Sequence, residues 1–187
     1  MNIVMIKKYI CLLLYYGFAR YLPDSSSKCG GRISNTIRLF LCRRIFKSCG
    51  KNVNIHRLAT FGKGFEIEIG DNSDLGVNCV VPNNIIIGNN VMMAPNCYIL
   101  SAMHNTESLE IPMIMQGSRL CPPPLIEDDV WIGRNVMMTP SRHIKKGSII
   151  AMGCVLTKDF PEYSIVGGNP SKLIRNRKEN KQQHKLY

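Results

Sequence analysis

The chain has 187 residues, 45% of them hydrophobic, and a formal net charge of +11, a length that suits one compact domain with a modest appendage. The charge sits at the ends: residues 1–51 hold ten Lys or Arg against Asp24 alone, residues 172–187 hold six against Glu179 alone, and residues 52–171 are slightly acidic, at eight against eleven. Basic ends without interleaved aromatics argue against nucleic acid and suit anionic small molecules, phosphate-bearing cosubstrates or an anionic membrane face.

In chain order, MNIVMIKKYICLLLYYGFARYLP places a short charged region before an apolar run from Tyr9 to Ala19. That run is too short to span a bilayer and has no convincing small-x-small cleavage site after it. It reads as a helix of the mature chain that packs on the body, the alternative being a helix lying on a membrane surface. After the polar DSSSKCGG, the stretch SNTIRLFLCRRIFKSCG predicts a second helix, with Ser34 or Asn35 as N-cap, an apolar stripe through Ile37, Leu41 and Ile45, and Gly50 as terminator.

The next stretch keeps a period of six. Ile69, Leu75, Val81, Ile87, Met93 and Ile99 follow it, and so do Ile126, Ile132, Met138, Ile144, Ile150 and Leu156. Twelve large aliphatics in register arise by chance on the order of once in ten thousand, before allowing for choice of frame. Six fits neither a helix face nor simple strand alternation. It suits short strands separated by corners, one aliphatic per strand pointing into a narrow prism, with Gly, Asn and Asp at the turns of IGDNSD, IGNNVM and IGRNVM. Three hexads make one triangular coil, so the two runs predict roughly four coils of a parallel β-solenoid. Upstream, Ile55, Phe61 and Ile67 suggest an irregular first coil whose frame slips by two before Ile69, capped by the N-terminal helices. From Ile99 to Ile126 is 27 residues, not a multiple of six, so an insertion breaks the wall just where SAMHNTE occurs. Beyond the solenoid, Pro161 and Pro170 leave the pattern and a polar, frayed tail is expected. The eight cysteines form neither CxxC pairs nor a zinc-ligand spacing with histidines, so free, mostly buried thiols of a reducing compartment are expected.

The hexads, the loop HNTESLEIPMIMQG, then IEDDVWIGRNVMM and GSIIAMGCVLTKDFPEYSIVGGNPSKLIR together resemble the hexapeptide-repeat acyltransferases. Within that superfamily they are most similar to the branch of maltose, galactoside and surface-polysaccharide O-acetyltransferases. The resemblance runs from about residue 50 to 177, and the leader YLPDSSSKCGGRISNTIRLFLCRRIFKSCGKNVNI is similar to that of capsule and O-antigen members. It implies an all-β fold, a left-handed parallel β-helix with an N-terminal helical cap and a short C-terminal extension. The expected divisions are 1–50 for the cap, 51–160 for the β-helix with a loop inserted at about 100–120, and 161–187 for the extension and basic tail. The left hand comes from the resemblance, since the usual preference for right-handed crossovers predicts the opposite.

The resemblance further implies a bacterial cytoplasmic homotrimer, with acetyl-CoA as cosubstrate in a groove between neighbouring solenoids and no metal. The acceptor would be a saccharide hydroxyl in capsule, O-antigen or exopolysaccharide biosynthesis. His104 matches the family's loop general base, and a neutral imidazole suits the task, because a sugar hydroxyl is a poor nucleophile until its proton is taken. The acetyl-CoA contacts map onto Arg134, Met152, Thr157, Lys158, Lys172 and Arg175, with Trp131 near the cofactor groove; the cations there suit nucleotide phosphates. The family's active-site Asn falls near Gly76, two residues before Asn78, so either Asn78 substitutes or the role is absent. Asn78 and Asn105 are the acceptor-side candidates. His56 in the first coil and His184 in the tail carry no expected role, and His143 takes a turn position in SRHIKKG.

Other readings compete. An amino sugar or an antibiotic hydroxyl is the alternative acceptor, and a non-catalytic β-helix scaffold the alternative class. A zinc enzyme on the same fold needs three converging histidines, and the intervals between His56, His104 and His143 do not supply them. The N-terminal helices leave open a peripheral membrane contact, at the inner face of the membrane.

Overall fold

The computed structural model describes residues 3–179. Two helices, α1 (Ile3–Gly17) and α2 (Gly31–Ile45), precede a triangular solenoid of two-residue strands. On the first face, strands Ser48–Cys49, Glu68–Ile69, Ile86–Ile87, Leu125–Ile126 and His143–Ile144 stack parallel in that order. The second face runs Asn54–Ile55, Asp74–Leu75, Met92–Met93, Trp131–Ile132 and Ile149–Ile150 and ends in Ser164–Gly167 with the antiparallel Lys172–Asn176. The third face carries Thr60, Val80, Tyr98–Ile99, Met137–Met138 and Val155–Leu156.

All twelve periodic aliphatics lie in the core, none more than 4% exposed. A second buried set, two residues before each of them, includes Ser73, Cys79, Val91, Cys97, Val136 and Cys154. Most hexads therefore turn two side chains inward, where the periodicity alone predicted one; Arg142, two residues before Ile144, is an exception. The second set ranges from Ser73 and Ser148 to Ile67 and Ile85 and takes three of the five buried cysteines, Cys79, Cys97 and Cys154; all eight cysteines are free. Burial pushes the Cys97 thiol up to about 11, which keeps it protonated and inert.

The corners explain the asparagines. Asn72, Asn78, Asn90, Asn96, Asp129 and Asn135 all have φ between 53° and 61°, a left-handed conformation that Asn and Asp tolerate better than other non-glycine residues. Coils are zipped along these edges, with the Asn72 amide donating to Asn90 Oδ1 at 3.1 Å and the Asn78 amide to Asn96 Oδ1 at 3.0 Å.

Three local expectations change. The first coil turns Cys49, Ile55 and Phe61 toward the axis, in line with Ile69, Leu75 and Val81. Its two-residue slip therefore lies in the turn after Phe61, where Gly62 and Gly64 have positive φ, and Ile67 belongs to the second inward set. Helix α2 starts three residues before Ser34: Gly30 is its N-cap at φ 75°, and Ser34 Oγ instead donates back to the Gly30 carbonyl at 2.8 Å. Gly31 is needed because a Cβ there would lie 2.5 Å from the Asp24 carbonyl oxygen. The helix ends at Ile45, well before Gly50, because Phe46 turns in against Phe61 with ring centroids 4.9 Å apart and Lys47 N joins the wall through the Ile67 carbonyl.

The cap is fastened to the first coil by polar as well as apolar contacts. Tyr15 is fully buried, its hydroxyl donates to the Ala59 carbonyl at 3.0 Å, and its ring lies 4.6 Å from that of Phe61. Tyr16 donates to the Gly62 carbonyl at 2.9 Å. Residues 180–187, with His184 and the end of the expected tail, lie outside the described residues.

Candidate active site

The insertion leaves the third face after Ile99 as a two-stranded antiparallel arm, Ala102–His104 against Ser118–Leu120. His104 pairs with Ser118 through the backbone. Its exposed imidazole has no hydrogen-bond partner among the described residues, so the ring is free to meet a substrate. Asn105 steadies the arm, its backbone N–H donating to the Gly117 carbonyl at 3.1 Å and its amide to the Gln116 carbonyl at 3.0 Å. Gln116 bonds back to Ser108 and Ile111. The arm also leaves the apolar side chains of Met103, Leu109, Met113, Ile114, Met115 and Leu120 exposed.

The candidate acetyl-CoA contacts gather elsewhere. Trp131, half-exposed, lies on the second face between Met92 and Ile149, in the sheet that ends with the strand carrying Lys172 and Arg175. Arg134 and Met152 occupy equivalent corner positions one coil apart, directly after that face. The wall between them is bare: a Cβ on Gly133 would come within 2.6 Å of Met152 N. Thr157 and Lys158 lie at the next corner, tied to the C-terminal return where Thr157 N donates to Ser171 Oγ at 3.1 Å. Arg134, Lys158, Lys172 and Arg175 have no carboxylate partner among the described residues, whereas the nearby Arg142, Arg177 and Lys178 are paired with Asp159, Asp129 and Glu162. The unpaired cations suit a polyphosphate.

The third face between these corners holds an apolar groove of ≈ 430 Å³, lined by Tyr98, Leu100, Met137, Met138, Thr139 and Val155. The arm that carries His104 thus leaves the corner that Thr157 and Lys158 occupy two coils on, whereas Arg134 follows the second face and Lys172 and Arg175 lie on the strand that ends it.

Asn78 is a corner residue whose amide is already given to Asn96. Gly76 has no room for a side chain, since a Cβ there would lie 2.5 Å from the Ala94 carbonyl oxygen. The residue that stands out is Asp74, which the sequence reading passed over. It faces outward on the second face, in register with Asn54, and its Oδ1 accepts the Met93 N–H at 2.5 Å, a donor that a regular ladder would give to the Asp74 carbonyl. The side chain therefore interrupts the wall and places a half-buried carboxylate on the face that also carries Met92 and Trp131. Burial lifts its pKa above the ordinary value, against that hydrogen bond.

The sign of the Asp74 effect can be tested. A carboxyl with a raised folded pKa costs nothing below its unfolded value near 3.9, and its cost grows as pH rises toward the folded pKa. Asp74→Asn should therefore have a higher melting temperature than the wild type at pH 7, and the difference should disappear at pH 4. An equal difference at both pH values would show that the charge is not what the fold resists.

Two other histidines are structural. His56 Nδ1 lies 2.9 Å from Asp24 Oδ2 and 3.0 Å from Ser25 Oγ, pinning the inter-helix loop to the first coil. Burial would raise the Asp24 carboxyl, but hydrogen bonds from the Ser26 backbone, His56, the Ser26 hydroxyl and the Arg57 backbone hold it well below the usual range. His143 lies on a strand, not in a turn, because Ile144 takes the inward position. Its Nε2 is 2.6 Å from Glu127 Oε1. Among the described residues no three His, Cys, Asp or Glu side chains are grouped to hold a metal.

Comparison with known proteins finds a match to the family model "Hexapeptide repeat of succinyl-transferase" over residues 66–101 and 124–158, either side of the arm. A provisional acetyltransferase of Saccharomyces cerevisiae is 37% identical over 135 residues, spanning 71% of this chain and 67% of that protein. Among solved structures, a maltose O-acetyltransferase from Clostridium difficile superposes with a TM-score of 0.72 at 28% identity, covering 94% of this chain and 89% of the other. A hexapeptide-repeat acetyltransferase from Vibrio cholerae, complexed with acetyl-CoA, superposes with a TM-score of 0.71 at 25% identity, covering 92% and 86%.

Proposed function

Because the chain belongs to the hexapeptide-repeat acyltransferases, left-handed β-helix enzymes of the maltose and galactoside O-acetyltransferase type, we propose that it moves an acetyl group from acetyl-CoA to a hydroxyl of a surface-polysaccharide sugar, with His104 as general base. The observation that carries the reading is the free imidazole on an arm interrupting an otherwise regular wall, in a chain that superposes almost end to end on an acetyl-CoA-bound acetyltransferase.

The His104 imidazole takes the proton of the acceptor hydroxyl as its oxygen attacks the thioester carbonyl. The C–S bond then breaks, the acetyl ester is formed, and the coenzyme A thiolate leaves, taking up the proton from His104. No acyl-enzyme is needed. Arg134, Lys158, Lys172 and Arg175 are the phosphate partners, Trp131 and Met152 the apolar flanks, and Asp74 an acceptor-side group that orients a sugar hydroxyl.

The assembly that goes with this reading is a homotrimer. The arm of His104 leaves the corner that carries Lys158, whereas Arg134, Lys172 and Arg175 lie across the third face on or beside the second, so joining the base to all four phosphate partners calls for the arm of one subunit laid against the wall of the next. The exposed apolar side chains of the arm and the ≈ 430 Å³ groove on the third face support that association. Light scattering of the purified chain should give the mass of three copies. Incubated with radiolabelled acetyl-CoA and polysaccharide from a strain lacking the gene, it should leave label on the glycan. That label should be released by mild alkali if the acceptor is a hydroxyl; alkali-stable label would mark an amino sugar instead, and no label with any glycan would remove the proposed acceptor class.

A further inference from the structure

Helix α1 is apolar on two opposite sides, and the solenoid covers only one. Its inner side, Cys11, Leu12, Tyr15 and Tyr16, is packed on the body and locked by the two tyrosine hydroxyls. Its outer side presents Ile3 at 68% exposure, Ile10 at 53%, Leu13 at 74% and Leu14 at 48%, followed by Phe18 at 58%, with Lys7 as the charged residue among them. An apolar ridge of this kind, on a helix whose opposite side is already packed, requires cover.

We infer that this ridge docks on the surface of an anionic phospholipid bilayer. Length excludes insertion across it: 15 residues of helix reach about 22 Å, short of the roughly 30 Å hydrocarbon core. Charge selects the kind of surface. Residues 1–51 carry ten Lys or Arg against Asp24 alone, and Asp24 is turned inward to His56. Beside the ridge, α2 exposes Ile33 and Phe40 together with Arg32, Arg43 and Arg44, the Arg44 guanidinium resting 3.5 Å from the centroid of the Phe40 ring. A second copy meeting the same face would bring these cations together, whereas acidic headgroups neutralise them while the aliphatics enter the interfacial layer.

The test is co-sedimentation of the full chain with vesicles of phosphatidylcholine alone or mixed with phosphatidylglycerol, at low and high salt. The mixed vesicles should bind about tenfold or more better than the neutral ones, and salt should weaken the binding. Leu13→Glu and Ile10→Glu, both at exposed positions, should lose vesicle binding while keeping the wild-type melting temperature and acetyl-CoA binding. The inference is overturned if mixed vesicles leave the wild type in the supernatant, or if the two variants sediment as the wild type does. It is overturned equally if Leu13→Glu lowers the oligomer mass, because a second copy then covers the ridge. None of these outcomes depends on the acceptor assignment.

Discussion

His104→Ala should lower kcat for acetyl transfer by about a hundred- to ten-thousand-fold while leaving the melting temperature and the affinity for acetyl-CoA near wild type. The split follows from the geometry. The imidazole is exposed and has no hydrogen-bond partner among the described residues, and the contribution of residue 104 to the arm is a backbone pairing with Ser118 that alanine keeps. Among the described residues none of the cations proposed for the phosphates is bonded to the imidazole, so they are untouched. His104→Asn keeps a polar side chain but has no basic nitrogen, so it should be as slow as alanine if proton removal is the role. A rate near that of the wild type in either variant would dismiss His104 as the base and turn attention to Asp74, the other titratable group on the candidate acceptor side.

The repeat could be read from the sequence because a β-helix writes its geometry into it at every turn. One aliphatic per six residues fills the axis, and one left-handed corner per six residues calls for Asn, Asp or Gly; both requirements recur without reference to anything distant. His104 was visible for the same reason, as a departure from a regular background. The second inward position was not visible, since Ser73, Cys79, Ile85 and Val91 share neither volume nor polarity. Asp74 was hidden more deeply. In sequence it is an ordinary polar residue at an outward strand position, and only the stacking of coils shows that its carboxylate replaces its own carbonyl as acceptor for Met93 N–H. The start of α2 was missed because a Ser two residues into a polar–apolar transition is a good N-cap by local rules, while the true start depends on Gly31 fitting against the Asp24 carbonyl.

The split between legible and hidden features also separates scaffold from site. Regular coils place side chains at fixed heights, which is why Arg134 and Met152 fall on one edge, eighteen residues apart in the numbering. What makes the site is the irregular part: an arm where the wall is interrupted, and a carboxylate that breaks a ladder.

The largest loss of stability is expected at Arg38. It lies on α2 beside the apolar stripe, yet it is completely buried. Its Nε donates to the Ile55 carbonyl at 2.6 Å, and Nη1 donates to those of Leu22 at 3.2 Å and Pro23 at 3.1 Å. One guanidinium thus holds the inter-helix loop and the first coil together through backbone acceptors, of which the Ile55 carbonyl is buried. Burial lowers its pKa, opposed by Tyr15 and Asp24, and the carbonyls replace the hydration of Nε and Nη1, while Nη2 is buried without a partner among the described residues. Arg38→Ala leaves those carbonyls unpaired and opens a cavity, a cost of about 4 kcal/mol, or a fall of about 10 °C in melting temperature. Arg38→Met separates the causes: it restores most of the volume and none of the donors, so it should remain close to alanine. Arg38→Lys, with one compact ammonium in place of a fork, should fall between them and the wild type. Thermal and urea unfolding of the three variants decide the matter. A methionine variant as stable as the wild type would show that packing, and not carbonyl recognition, fastens the cap to the first coil.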